Sequence, residues 1–175
     1  MNLEEQIRNT GFVCQCCGAC CSGSDNEVMV SPEEIDLLIQ KTGLPFEDIA
    51  EPYPEWIEGN GEIFTFGWVL RRGKDGNCLF LKNNRCSVYA VRPHICRTYP
   101  FMLNNDELII SECDAIPGTA PCPEVKILIS DLLKRRDAEE QEFLQTKEQY
   151  QKHSISPGAT LVFDSRGAHP WLKKQ

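Results

Sequence analysis

The stretch Cys14-Gln15-Cys16-Cys17-Gly18-Ala19-Cys20-Cys21 places five cysteines within eight residues. Four of them, Cys14, Cys17, Cys20 and Cys21, follow the spacing C-x2-C-x2-C-C, and Cys16 is an extra thiol. Steps of two intervening residues let thiolates converge on one metal while the backbone N–H groups between them point at sulfur. Packing alone asks for no such density or spacing, so the segment reads as metal-binding. Five single cysteines follow far downstream, Cys78, Cys86, Cys96, Cys113 and Cys122. Three thiols at x2 steps also match the ferredoxin run, in which a remote Cys-Pro supplies a further ligand. Cys122-Pro123 is such a pair. Zinc ribbons usually pair two separated C-x2-C knuckles. Here one dense cluster faces scattered single cysteines, which leans toward an iron–sulfur cluster, 4Fe-4S by the ferredoxin analogy, with zinc as the alternative. Ten cysteines suit two four-thiolate sites with two to spare, or one cubane and a smaller site. Spacing leaves the pairing open.

The rest of the composition supports a metal-organised domain. The chain has 175 residues with 18 basic and 26 acidic side chains, a net charge of −8. That length predicts one domain, 1–175, with a cysteine core at 12–122, a helix at 124–152 and a tail at 153–175. Hydrophobic residues make up 41%, but this count includes the 10 cysteines. Without them the apolar share falls to roughly 35%, thin for a self-sufficient core. The acidic balance argues against nonspecific nucleic-acid binding, which needs clustered cations on phosphate. No segment approaches the ~20 apolar residues of a membrane helix. The start, MNLEEQIRNT, has neither a basic n-region nor an apolar h-region, so the expected location is cytoplasmic. In that compartment thiols stay reduced, and cysteines are ligands or redox groups before they are disulfides.

Local patterns predict an α+β fold, small and irregular, with short hairpins and a long C-terminal helix. Residues 1–10 make a short helix, 12–24 a loop wrapped around the cysteines, and 28–30 a short strand. Ser31 with Glu34 forms a capping box, Pro32 suits the first turn, and Gly43 ends the helix. A short helix is expected at 46–50. Ile63 to Arg72 reads as a strand, Asp75-Gly76 as a hairpin turn, and 78–81 as the returning strand. Two short helical turns are expected within 86–100. A second hairpin is expected from 101–103 to 107–110, followed by a Pro/Gly-rich loop at 113–123. In the long helix Val125, Leu128, Ile129, Leu132, Leu133, Phe143, Leu144 and Tyr150 are taken to share one face. Its polar middle, 134–141, predicts that the helix protrudes or pairs with a partner protein. A last strand is expected at 160–163.

Charge is uneven. Residues 71–97 hold seven cations against Asp75, a net +6 in a chain whose total is −8. These cations lie among Cys78, Cys86 and Cys96. The simpler reading is that they neutralise metal-bound thiolates. The sharper reading is a pocket for a small anionic ligand, with Arg92 and Arg97 as bidentate candidates. His94 is read as a packing residue rather than a ligand, and Tyr89 and Tyr99 as packing around the cluster. No G-x-S-x-G, Walker loop or H-E-x-x-H is present, so hydrolase and NTPase readings have no local support.

Taken together, Cys14 to Cys21, Cys78-Leu-Phe-Leu, Cys86-Ser-Val-Tyr89 and Arg92-Pro-His-Ile-Cys96-Arg97-Thr-Tyr-Pro-Phe101 resemble the CxxCxxCC cysteine-cluster family over roughly residues 12–122. The resemblance implies zinc or iron chelation, and Cys16 departs from its pattern. Some flagellin lysine N-methylases carry a similar cysteine domain. This chain has no Gly-rich nucleotide loop and no C-x3-C-x2-C, so methylation is not carried across. The expected ligands are Cys14, Cys17, Cys20, Cys21, Cys78, Cys86, Cys96 and Cys113, with Cys122 a ninth candidate. The first functional reading is an iron–sulfur protein in electron transfer, redox support or maturation of a partner. The second is a structural zinc module. The third is a cluster-dependent group-transfer enzyme holding an anionic substrate through Arg92 or Arg97.

Overall fold

The computed structural model describes residues 1–23 and 27–172. Ser24, at the end of the expected cysteine loop, and the last three residues of the expected tail lie outside the described residues. Five α-helices are described: α1 (Leu3–Thr10), α2 (Pro32–Thr42), α3 (Phe46–Ile49), α4 (His94–Thr98) and α5 (Val125–Lys152). Among the described residues none is long and apolar enough to cross a membrane.

Local chemistry sets the helix ends. Ser31 accepts from the Glu34 N–H at 3.3 Å while Glu34 accepts from the Ser31 N–H at 2.9 Å, the reciprocal bonds of a capping box. Gly43 closes α2 in the left-handed conformation, donating to Ile39 O. Ile35 and Leu38 are buried on its inner face. Asn2 and Glu5 cap α1 in the same way.

The strands depart from the sequence reading where tertiary pairing decides. Ile63 to Arg72 is not one strand. Gly67, at φ 77, turns the chain between Glu62–Phe66 and Trp68–Leu70. The first segment lies in a four-stranded sheet in the order Gly167–Pro170, Thr160–Asp164, Glu62–Phe66, Ile57–Gly59. Its pairing with Thr160–Asp164 is parallel. The second segment lies between Met29–Val30 and Ala50–Pro52. The Asp75-Gly76 turn forms, with Gly73 N–H donating to Asn77 O at 2.8 Å. The returning strand does not, and only an Arg72–Cys78 bridge remains. The Cys78 N–H is committed instead to Cys21 O at 2.7 Å. Two small hairpins follow, Leu81–Lys82 with Arg85–Cys86 and Phe101–Asn104 with Glu107–Ile110. The second turns through Asn105 and Asp106, both at positive φ, as its sequence predicts.

Three apolar clusters result. One gathers Ile35, Leu38, Ile49, Trp68 and Phe80, with Cys78, Cys86 and Cys96 packed against it. A second joins Ile7, Phe12, Phe101, Val125, Leu128 and Leu132, and contains Cys122 with Cys113 alongside. The third is Phe64, Leu161 and Phe163. Helix α5 does not protrude; it packs on α1, α4 and Thr160–Asp164. Of its polar middle only Arg135 is buried, Arg136 bonds to Asp106, and the residues of 134–141 other than Arg135 are exposed. Arg135 is buried and donates to Glu139 at 2.7 Å and to Thr98 Oγ1 at 3.0 Å. Glu142 accepts from the Ser165 N–H at 3.0 Å. Phe143 and Leu144, expected on the apolar face, point outward and are exposed. The 28-residue helix passes several different neighbours, so no single stripe describes its inner face.

Candidate metal centre

The cysteines reach one place from four directions. Phe12 anchors the start of the cluster loop in the second apolar cluster. Cys16 (φ 51) and Gly18 (φ 79) then turn the chain into a short 3-10 turn, Ala19–Cys21. A Cβ on Gly18 would stand 3.3 Å from Leu81 Cδ1 and 3.4 Å from Asn84 Cα. The loop therefore lies tight on the hairpin that carries Cys86. Cys78 is tied to Cys21 through the backbone bond described above. Cys96 sits on α4, and Cys113 and Cys122 sit on the loop before α5.

That last loop is cinched to the N-terminal segment by backbone. Gly118 N–H donates to Thr10 O at 2.8 Å and Cys122 N–H to Arg8 O at 3.0 Å. A Cβ on Gly118 would come within 1.8 Å of Gly11 O, so no side chain fits there. Sequence reading took this segment only as a Pro/Gly-rich loop. The close approach that needs glycine becomes visible once Gly11 and Gly118, far apart in sequence, are seen face to face.

All ten cysteines line one cavity of about 490 Å³. All ten are free thiols, from exposed Cys14, Cys16, Cys17 and Cys20 to Cys122 at 1% exposure. Cys20 and Cys96 also line a smaller adjoining recess of about 210 Å³ that reaches Arg135. Cys20 Sγ and Cys21 Sγ are 3.9 Å apart. The Cys21 thiol serves as hydrogen-bond partner to both Cys20 and Cys78. This pulls Cys20 down to about 7 and Cys78 down to about 6, and drives Cys21 well above the usual thiol range. Burial pushes Cys96 up to about 12, with Cys78, Cys20 and Cys86 adding to the effect. Burial also raises Cys14 and Cys86. Tyr99 stands among the thiols. Burial and then Cys113, Cys20 and Cys17 raise its phenol, which donates to Glu112 O.

The two candidate arginines differ. Arg97 donates from Nε to Arg92 O at 2.9 Å and from Nη2 to Ala90 O at 3.0 Å, holding the turn before α4. Arg92 lies over the Tyr89 ring, its guanidinium carbon 3.6 Å from the centroid, and lines the cavity. Its Nε and Nη1 are buried with no hydrogen-bond partner. Its charge adds to the lowering of Cys20 and offsets part of the burial effect that raises Cys86, as that of Arg72 adds to the lowering of Cys78. His94 lines neither recess.

Among the described residues, no three Cys, His, Asp or Glu donors converge on a single point. The donor chemistry nonetheless fits a thiolate-bound group of net negative charge. Soft sulfur ligands surround the cavity, and an unpartnered guanidinium lies at its wall. Each cysteine turns on one χ1 bond, so reorientation of sulfur needs no backbone change.

The comparisons agree with this chemistry. The chain matches the model of the CxxCxxCC family, described as "Putative zinc- or iron-chelating domain", over residues 13–119. It is 28% identical over 104 residues to an uncharacterized protein of Methanocaldococcus jannaschii, covering 58% of this chain and 50% of that protein. The chain thus spans about half the length of that relative. No solved structure matches it significantly.

Proposed function

The chain belongs to the CxxCxxCC family of metal-chelating domains, and we propose that it holds its metal as iron–sulfur, for electron transfer, redox support or maturation of a partner protein. The observation that carries this reading is the joint placement of ten cavity-lining thiols and the unpartnered Arg92 guanidinium. Thiolates spread around a wall suit a polynuclear group, whose ligands bind separate metals, better than a single ion. Arg92 then supplies hydrogen bonds and positive charge to sulfur, two of the levers that set a cluster's potential. Cys14, Cys17, Cys20, Cys21, Cys78, Cys86, Cys96, Cys113 and Cys122 are the proposed ligands. Such a group would supply one-electron chemistry, and these residues would hold it. A reducing cytoplasmic setting would keep the thiols available. The outer face of α5, with Phe143 and Leu144 exposed, is the surface proposed for a partner.

One observation favours zinc as the second reading. The 3.9 Å between Cys20 Sγ and Cys21 Sγ is close to the ~3.8 Å edge of a tetrahedral zinc–thiolate site with Zn–S of about 2.3 Å.

Anaerobic purification, with iron, zinc and acid-labile sulfide measured on one sample, decides between them. A brown protein with sulfide matching iron is expected. A colourless protein with stoichiometric zinc and no sulfide would replace the first reading with the second. Cys17→Ala and Cys20→Ala are expected to lose metal and solubility; full metal in both would remove these residues from the ligand set.

A further inference from the structure

We propose that the ten cysteines form two separate metal centres rather than one, divided by the two apolar cores that meet at the cavity. This deepens the reading above and rests on it for metal identity, but not for the division itself. Cys78, Cys86 and Cys96 are packed on the core around Ile35 and Trp68. Cys113 and Cys122 belong to the core of α1 and α5. None of these five packs on both.

The N-terminal loop bridges the gap. Its start is fixed in the second core by Phe12, and Gly11 meets Gly118, at the base of the loop that carries Cys113 and Cys122. Its end is fixed to the first core through the Cys78 N–H bond to Cys21 O at 2.7 Å. The loop therefore delivers Cys14, Cys16 and Cys17 toward Cys113 and Cys122, and Cys20 and Cys21 toward Cys78, Cys86 and Cys96. Tyr99 lies between, faced by Cys113 and Cys17 as well as by Cys20. Each set holds five thiols, enough for a four-thiolate centre with one left over. Cys16, which the family pattern leaves without a role, becomes the thiol left over in the first set. Only the second set reaches the smaller recess, through Cys20 and Cys96.

The division predicts that double substitutions act by set, not by number. Cys14→Ser with Cys113→Ser leaves three thiols in the first set. Cys20→Ser with Cys86→Ser leaves three in the second. Cys14→Ser with Cys86→Ser removes one proposed ligand from each set. The full chain and these three variants are purified anaerobically, and metal and sulfide per chain are counted. Hydrogen exchange over the sheet at 62–66 and 160–164 reports whether each variant is folded.

The same-set variants are expected to lose about half the metal, each retaining a different spectroscopic signature, while the crossed variant loses nearly all of it. Equal loss in all three, or a single centre in the full chain, overturns the division. Should one same-set variant unfold, the other still decides, because one shared centre predicts that it loses as much metal as the crossed variant. Two zinc ions per chain would uphold the division while ending the iron–sulfur reading. A single four-iron centre would do the reverse.

Discussion

Around Phe163 the chain is held by side chains that need nothing added. Phe64, Phe66, Tyr150 and Phe163 stack with ring centroids 5.1 to 5.9 Å apart, mostly edge to face. Buried Glu62 accepts from His153 at 2.9 Å, and buried Asp164 accepts from Trp68 Nε1 at 2.7 Å and pairs with His169 at 2.8 Å. Both buried carboxylates there have partners. Around Cys20 the chain has short turns, two-residue strands and thiols on the cavity wall, with Arg92 left unpartnered. The first region pairs its buried carboxylates internally and leaves only the Ser165 hydroxyl among its described buried side chains without a hydrogen bond. The second leaves the Arg92 guanidinium unpartnered beside cavity-lining thiols, which marks it as the part whose order depends on what it binds.

Metal removal tests this contrast most severely. Treatment with a chelator under reducing conditions is expected to raise amide exchange by orders of magnitude over 12–23, 78–98 and 111–123. Exchange at 62–66 and 160–164 is expected to change little. Uniform deprotection of both regions would show that they form one cooperative unit, and the contrast would fall.

The reverse experiment is Phe163→Ala. Phe163 is fully buried, so truncation is expected to cost about 3–5 kcal/mol. Metal content per folded chain should be unchanged, as read by chemical denaturation beside metal analysis. Gly118→Ala should act on the other side with a smaller cost. Its new methyl must displace Gly11 backbone, an overpacking worth about 1–3 kcal/mol, and metal occupancy should fall with it. Stability lost with metal fully retained would show that the Gly11–Gly118 contact serves the fold alone.

The contrast also explains what could be read in advance. The capping box at Ser31 and Glu34, the Asn105-Asp106 turn and the span of α5 were legible because each depends on residues a few positions apart. The parallel pairing of Phe64 with Leu161 was not, since strand residues carry no record of partners almost a hundred positions away. The cysteines were legible as a cluster through spacing, and their gathering from distant segments followed the motif. The differing fates of Arg92 and Arg97 were not legible. Both are arginines in a basic stretch, and only the fold shows that one bonds to carbonyls while the other stays unpartnered. Arg135 was legible only as part of a polar middle expected to protrude or meet a partner, because the acceptor that buries it, Thr98, lies 37 positions away.

Arg92→Gln sharpens the site side of the comparison. The variant keeps a planar donor but removes the charge beside Cys20 and Cys86. With an iron–sulfur centre in place, the potential should fall by roughly tens of mV, because the reduced, more negatively charged state loses the nearby cation that stabilised it. Arg97→Gln should shift it less, since that guanidinium is occupied by Arg92 O and Ala90 O. Redox titration of both variants is the measurement, and equal shifts would deny Arg92 its distinct role.

The smallest effect belongs to the self-sufficient region and is seen through pH. Hydrogen bonds from His153 and from the Ser156 N–H hold the Glu62 carboxyl below its ordinary value of 4.5. A carboxylate depressed in the folded state binds protons more readily when unfolded. Its contribution is therefore complete above the ordinary value and is lost as pH falls through the lower, folded value. Glu62→Gln should be less stable than the parent at neutral pH, and the two should converge as pH drops below about 4.5. Denaturation midpoints measured from pH 7 to pH 3 read this directly. Because the pair lies in the sheet and not among the thiols, metal content should stay constant across the comparison at neutral pH. Parallel curves for parent and variant would mean that the Glu62–His153 bond does not set the acid limb. Convergence accompanied by metal loss at neutral pH would mean that the two regions are coupled after all.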